Sequence, residues 1–230
     1  MNSAAVIVFA RAPRAGTTKT RLIPALGAAG AALLYAGLLA RTLRQVTTLQ
    51  AVSRCVYVDE PAALEDLGSR VTFPAWQLEV QQGATLGARM AHALTTTLQH
   101  HARVILLGSD IVDAETGDLA QALQALADGA EVVLGPAADG GYWLIGLARP
   151  QPQLFTDEIC WGSARVYADT VAKIGAAGLS WSALRKRHDI DCPADLVQHA
   201  AKLRELLPDS SLLAGELRTK LLNPSRLMGL

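Results

Sequence analysis

Four short apolar runs, AAVIVF (4–9), CVYV (55–58), RVILLG (103–108) and EVVLGP (131–136), recur along the chain. Each is a continuous apolar block rather than an apolar–polar alternation, which is the pattern of a strand buried on both faces. Such strands need helices above and below their sheet, so the pattern predicts an α/β chain with a mostly parallel sheet in an α/β/α sandwich. Helical composition over 28–50, 86–101, 116–127 and 163–176 supplies the crossovers and layers. YWLIGL (142–147) follows EVVLGP after only AADGG. That gap is too short for a parallel crossover, so an antiparallel or offset strand and a mixed sheet are expected.

Half of the 230 residues are hydrophobic (50%) and 18% are charged, enough apolar content for one compact domain. The domain is expected over 1–208, with a last core helix at 193–206 that Pro193 opens and Asp195 follows in the first turn. Residues 209–230 read as a C-terminal helical tail. The uncharged stretch 26–40 is shorter than the ~20 residues of a spanning helix and is read as buried. The first apolar run has no basic residue before it and Arg11 and Arg14 just after it, unlike a secretion signal. Cys55, Cys160 and Cys192 form no CxxC pair and are read as packing thiols in a reducing compartment. The expectation is a cytoplasmic chain that spans no membrane. Lys+Arg 21 against Asp+Glu 21 gives a net charge of +0, which excludes the broad basic field of nucleic-acid binding. An anionic ligand must then be held by a local cluster.

Ligands of open α/β sheets sit outside the carboxyl ends of the strands, so the residues after each apolar run carry the functional signal. ARAPRAGTTKTRL follows the first run and crowds Arg11, Arg14, Lys19 and Arg21 around Gly16, a set able to grip a di- or triphosphate. Its spacing is not that of a Walker loop. SDIVDAE follows RVILLG and offers Ser109, with Asp110 and Asp113 as carboxylates for Mg²⁺ or Mn²⁺, or as a helix N-cap in the case of Asp113. Asp139, Gly140 and Gly141 form a turn where backbone can approach a ligand or simply bend tightly. HDIDCPADL places Asp189 and Asp191 ahead of a helix, as metal ligands or as helix-end charges. His188 is read as a surface residue. QQGATLGARM supplies Gln82, Gly83 and Arg89 for a base, sugar or phosphate, with plain capping as the alternative. Trp161 and Ser163 read as a packed indole and an N-cap.

Taken in order, FARAPRAGTTKTRL, QQGATLGARM, LLGSDIVD, GPAADGGYWLIGL, LFTDEICWGSARV and DIDCPADL resemble a bacterial family of the glycosyltransferase-A superfamily. Its members are labelled nucleotide-diphospho-sugar transferases and are similar to phospholactate and molybdopterin guanylyltransferases. The likeness covers Val6 to about Leu206. It implies a single Rossmann-like α/β/α domain, a nucleotide-phosphate loop at Arg11, Arg14, Gly16, Lys19 and Arg21, and a metal position at Asp110. It also implies a sugar or acceptor region at Asp139, Gly140 and Gly141, and a second acidic motif at Asp189 and Asp191. Two departures stand out: GSDIVDA replaces the family's GSDCPDL, and Thr17 stands where a basic residue is usual. The expected activity is metal-dependent transfer of a sugar from a nucleoside diphosphate-sugar to a small acceptor, with Asp110 and Asp139 catalytic. Gln82, Gly83, Arg89, Ser109, Gly140 and Gly141 would bind the base or sugar. Nucleotidyl transfer with release of pyrophosphate is the alternative, and a nucleotide-binding scaffold without turnover is the third. The sequence leaves a homo-oligomer open.

Overall fold

The computed structural model describes residues 4–68, 76–207 and 212–222. Seven strands form one sheet: β1 (Ala4–Ala10), β2 (Val52–Val58), β3 (Trp76–Val80), β4 (Arg103–Gly108), β5 (Val132–Pro136), β6 (Tyr142–Leu147) and β7 (Trp181–Ala183). Their order is β3-β2-β1-β4-β6-β5-β7. β6 runs antiparallel between β4 and β5, and every other pairing is parallel. The sheet is therefore mixed and mostly parallel. The five-residue turn after β5 can only reverse the chain.

The longer helices are α2 (Ala28–Thr48), α4 (Leu86–Leu98), α5 (Thr116–Ala127) and α6 (Val166–Ala176). Shorter ones are α1 (Ile23–Leu26), α3 (Ala62–Gly68), α7 (Pro193–Gln198), α8 (Ala200–Leu206) and α9 (Leu212–Leu222). Side chains of β1 alternate between two buried layers, as strand geometry demands. Val6 and Val8 pack with Tyr35 and Leu43 of α2 and Leu119 of α5. Ala5 and Ile7 pack with Leu94 of α4 and Ile174 of α6. A third cluster joins the other flank of α2, through Leu34 and Leu38, to Leu196, Leu203, Leu217 and Leu221 of the last three helices. Helix α2 is thus covered on two sides, which explains the uncharged 26–40 stretch.

Several expected bounds are corrected. The helix placed at 163–176 begins at Val166, because Arg165 takes the N-cap position. The helix placed at 193–206 breaks at His199 into α7 and α8. The segments 28–50 and 86–101 end at Thr48 and Leu98. Two strands were not expected. β3 shows an alternating WQLEV pattern that marks it as a half-exposed strand, and β7 is three residues long. Helix α9 packs Ala214, Leu217 and Leu221 into the third cluster, and the boundary expected at 208–209 lies outside the described residues.

Candidate functional site

Parallel strands end at one edge, and there β1, β2, β3 and β4 open onto a cleft of about 620 Å³. The loop after β1 forms one wall. Thr18 folds it from within: its hydroxyl donates to the Ala12 carbonyl at 2.7 Å and accepts from the Arg14 N–H at 3.2 Å. Buried Tyr35 anchors the loop to β4, because its Oη accepts from the Arg11 N–H at 2.8 Å and lies 2.8 Å from Ser109 Oγ. Each loop cation already has a carboxylate neighbour. Arg11 Nε is 3.6 Å from Asp59 Oδ2, Arg14 pairs with Glu60, and Arg21 is 3.9 Å from Asp191 Oδ2. Lys19 Nζ lies 3.0 Å from Asp110 Oδ2 and also contacts Asp191 Oδ1. Burial opposes charge on this lysine, but the two carboxylates outweigh it and push its pKa up to about 12.

Against this loop lies a small antiparallel ribbon that gives Asp110 and Asp191 to the cleft. Ile111 pairs with Asp189, the Val112 N–H donates to the His188 carbonyl at 3.0 Å, and the Ile190 N–H donates to the Asp110 carbonyl at 3.2 Å. Asp113 clamps the ribbon by accepting from the His188 N–H at 2.8 Å and meeting His188 Nδ1 at 2.9 Å. Burial alone would raise the Asp113 pKa, but the His188 bonds win and lower it. Asp191 is fixed by the start of α7, where its N–H and that of Cys192 both donate to Asp195 Oδ2. The ribbon brings Asp110 and Asp191 onto one ammonium although they are far apart in sequence.

A family model described as "Uncharacterized protein conserved in bacteria (DUF2064)" matches residues 42–163, just over half of the chain. A solved structure from Desulfovibrio desulfuricans G20, provisionally named as a nucleotide-diphospho-sugar transferase, is 31% identical, with 99% of each chain covered and a TM-score of 0.85. The chain belongs to the DUF2064 family. The CMP:2-keto-3-deoxy-manno-octonic acid synthetase solved with CTP has a TM-score of 0.58 at 12% identity, covering 89% of this chain and 100% of that one. A cytidylyltransferase from Leptospira borgpetersenii has a TM-score of 0.56 at 15% identity, covering 100% and 98%. At those identities the likeness is one of fold. No curated protein matches the chain.

In this DUF2064 chain the cleft gathers Arg11, Lys19, Arg21, Arg89, Ser109, Asp110 and Asp191 from the residues that the sequence singled out. Others lie elsewhere. Arg14 lines a separate recess of about 300 Å³ beside the loop, and Gly16 serves the turn with φ +89°. Gln82 is exposed outside the cleft, whereas its neighbour Gln81 lines it and donates from Nε2 to the Tyr57 carbonyl at 3.0 Å. Gly83 accepts at its carbonyl from Arg89 Nε at 3.0 Å, a positioning contact. Asp139 sits on an exposed turn and caps the Gly141 N–H at 2.9 Å. The backbone that approaches Gly140 is that of Ala164 in the same chain. Asp113 is no N-cap, since Glu115 takes that position in α5. Ser163 is not one either, although its Oγ accepts from the Arg165 N–H at 3.3 Å. His188 is engaged with Asp113 rather than standing free on the surface.

Among the described residues no group of three or more His, Cys, Asp or Glu side chains is arranged to hold a metal ion. Of the expected trio Asp110, Asp189 and Asp191, the structure brings Asp110 and Asp191 together on Lys19, and Asp189 stands near them without contacting it. Asp189 is half-buried, and burial followed by the charges of Asp139, Asp191 and Asp110 raises its pKa to about 6. A carboxyl whose pKa is raised in the folded state holds a proton that the unfolded chain releases, so Asp189 disfavours folding above pH ~6 and ceases to do so towards pH ~4. Asp189→Asn is therefore expected to stabilise the protein at pH 7.5 by about 1 kcal/mol after screening, and by almost nothing at pH 4. Thermal unfolding of both proteins at the two pH values checks it; a gain that is equal at both would contradict it.

Two residues that sequence reasoning missed also line the cleft, Asp59 after β2 and Gln81 after β3. Asp59 follows the apolar run CVYV, so the strand-end rule that found Asp110 could have found it. Gln81 needed β3 to be recognised first.

Proposed function

We propose that the chain is a transferase that binds a nucleoside diphosphate-sugar in the cleft and passes the sugar to a small acceptor with the help of Mg²⁺ or Mn²⁺. The observation that carries this reading is the meeting, in one cleft, of the Lys19 and Arg21 cations with the Asp110 and Asp191 carboxylates. The carboxylates fit a hard divalent ion. They converge on a single cationic atom and remain partly open to solvent, and such ions are commonly held by one or two carboxylates with phosphate oxygens and water completing the shell. When bound, the ion supplies positive charge that offsets the developing charge on the departing diphosphate. Arg21 and Lys19 hold the phosphates from the loop side. Arg89, kept in place by the Gly83 carbonyl, adds a further cation to the cleft lining. Tyr142 and Met90, in contact with each other, add apolar surface to the lining.

A diphosphate suits this charge balance better than a triphosphate. Each of the four loop cations faces a carboxylate, and Lys19 faces two, which leaves less net positive charge than four cations in one loop suggest. The similar Desulfovibrio desulfuricans structure, named for nucleotide-diphospho-sugar transfer, supports the same reading. Nucleotidyl transfer is the second reading, favoured by the further cations Arg21 and Arg89 on the cleft wall. Thermal-shift measurements with nucleoside diphosphate-sugars and nucleoside triphosphates, each with and without Mn²⁺, test the choice. A diphosphate-sugar at 100 times its Kd should add about 2.7 kcal/mol of stability, and only with Mn²⁺. Stronger stabilisation by triphosphates, with pyrophosphate released on adding phosphorylated acceptors, would replace the first reading by the second.

A further inference from the structure

The Lys19 ammonium occupies the point where the two candidate metal carboxylates meet. Its side chain is only 8% exposed, while those of Asp110 and Asp191 are 35% and 41% exposed, so the lysine is packed beneath an acid pair that faces the cleft. Nζ is shared between Asp110 Oδ2 and Asp191 Oδ1. An ammonium and a divalent ion a few ångströms apart repel strongly, so the carboxylates cannot serve both fully at once. The same lysine belongs to the loop that presents Thr17, Thr18, Thr20 and Arg21 to the cleft, where a phosphate would offer it another anion. Its backbone is held at φ 51°, ψ 48°, a left-handed conformation that costs a lysine energy and that a change of loop conformation would relieve.

We propose that Lys19 is the resident cation of the Asp110–Asp191 pair while the cleft holds no phosphate, and that an incoming phosphate draws it away and opens the pair to a divalent ion. The inference rests on the metal dependence proposed above and adds an order to it: phosphate and cation bind with positive coupling, and the cation binds poorly alone. By linkage, each strengthens the other to the same degree. Removing the ammonium while leaving the carboxylates should uncouple the two.

Binding of Mn²⁺, read from the loss of its free-ion paramagnetic resonance signal, tests this on the full chain. The titrations use wild type, Lys19→Met and the double variant Lys19→Met/Asp110→Asn, each with and without inorganic pyrophosphate and against a protein-free Mn²⁺–pyrophosphate control. Wild type should bind Mn²⁺ at least tenfold more tightly with pyrophosphate than without. Lys19→Met should bind Mn²⁺ alone at least tenfold more tightly than wild type, and the double variant should lose that gain. Wild type binding Mn²⁺ alone as tightly as Lys19→Met would overturn the inference and leave metal dependence standing. Failure of every protein to bind Mn²⁺ in either condition would overturn both. Should Lys19→Met fail to fold, Lys19→Gln takes its place; in either case equal wild-type affinity with and without pyrophosphate overturns the coupling.

Discussion

Asp110→Asn is expected to weaken Mn²⁺-dependent nucleotide binding by about 1.5–3 kcal/mol, roughly 10- to 150-fold, while the unliganded protein keeps its fold. The amide has nearly the shape of the carboxylate but lacks the charge that a divalent ion needs. The protein tolerates the change because Lys19 retains Asp191, and because the Asp110 carbonyl still accepts from the Ile190 N–H. Calorimetric titration of nucleotide in Mn²⁺, beside a melting curve of the free protein, separates the two effects. Unchanged Mn²⁺-dependent binding would remove Asp110 from the site; a collapsed melting temperature would instead make it a structural residue.

Gly140→Ala is expected to destabilise the fold by about 2–5 kcal/mol, among the largest effects of any single methyl group in the chain. Gly140 has φ +93°, a left-handed conformation that costs an L side chain about 1–2 kcal/mol. A Cβ there would overlap the Ala164 carbonyl oxygen and stand 2.7 Å from the carbonyl carbon, and such overpacking adds about 1–3 kcal/mol. The Tyr167 N–H also donates to the Gly140 carbonyl at 2.9 Å, so the turn cannot move away without loosening the start of α6. Gly16→Ala is the comparison: φ is +89°, yet nothing lies within 4 Å of the added carbon, so only the conformational cost of about 1–2 kcal/mol applies. Denaturant unfolding of both variants checks the difference. Equal losses would mean that Ala164 yields freely.

The parts of this architecture that were legible in the sequence are those encoded locally. AAVIVF and RVILLG announced β1 and β4, and the strand-end rule then pointed to Lys19 and Asp110 without any knowledge of their partners. The reversal at AADGG was legible from its length alone. What the chain does not encode locally is pairing. That Lys19 would lie between Asp110 and Asp191 depends on contacts spanning 91 and 172 positions, set by the sheet order and the 110–113/188–191 ribbon. The same holds for Gly140: its pair with Gly141 suggested room for a ligand, and the space is taken by Ala164, which no local pattern announces. The shift from Gln82 to Gln81 is a matter of parity. A strand's side chains alternate faces, so missing β3 puts the neighbouring residue on the wrong side.

The ribbon that joins residues 110–113 to 188–191 makes any binding that needs both Asp110 and Asp191 depend on a nearly complete chain. A chain that reaches only as far as β4 already carries Lys19 and Asp110, yet the acid pair exists only when 188–191 lies beside Asp110. Contacts so distant in sequence form only after most of the loop-closure entropy has been overcome. A ligand that requires both carboxylates therefore recognises completed molecules and ignores intermediates, so its binding energy shifts the balance between finished and unfinished chains without giving intermediates a competing refuge.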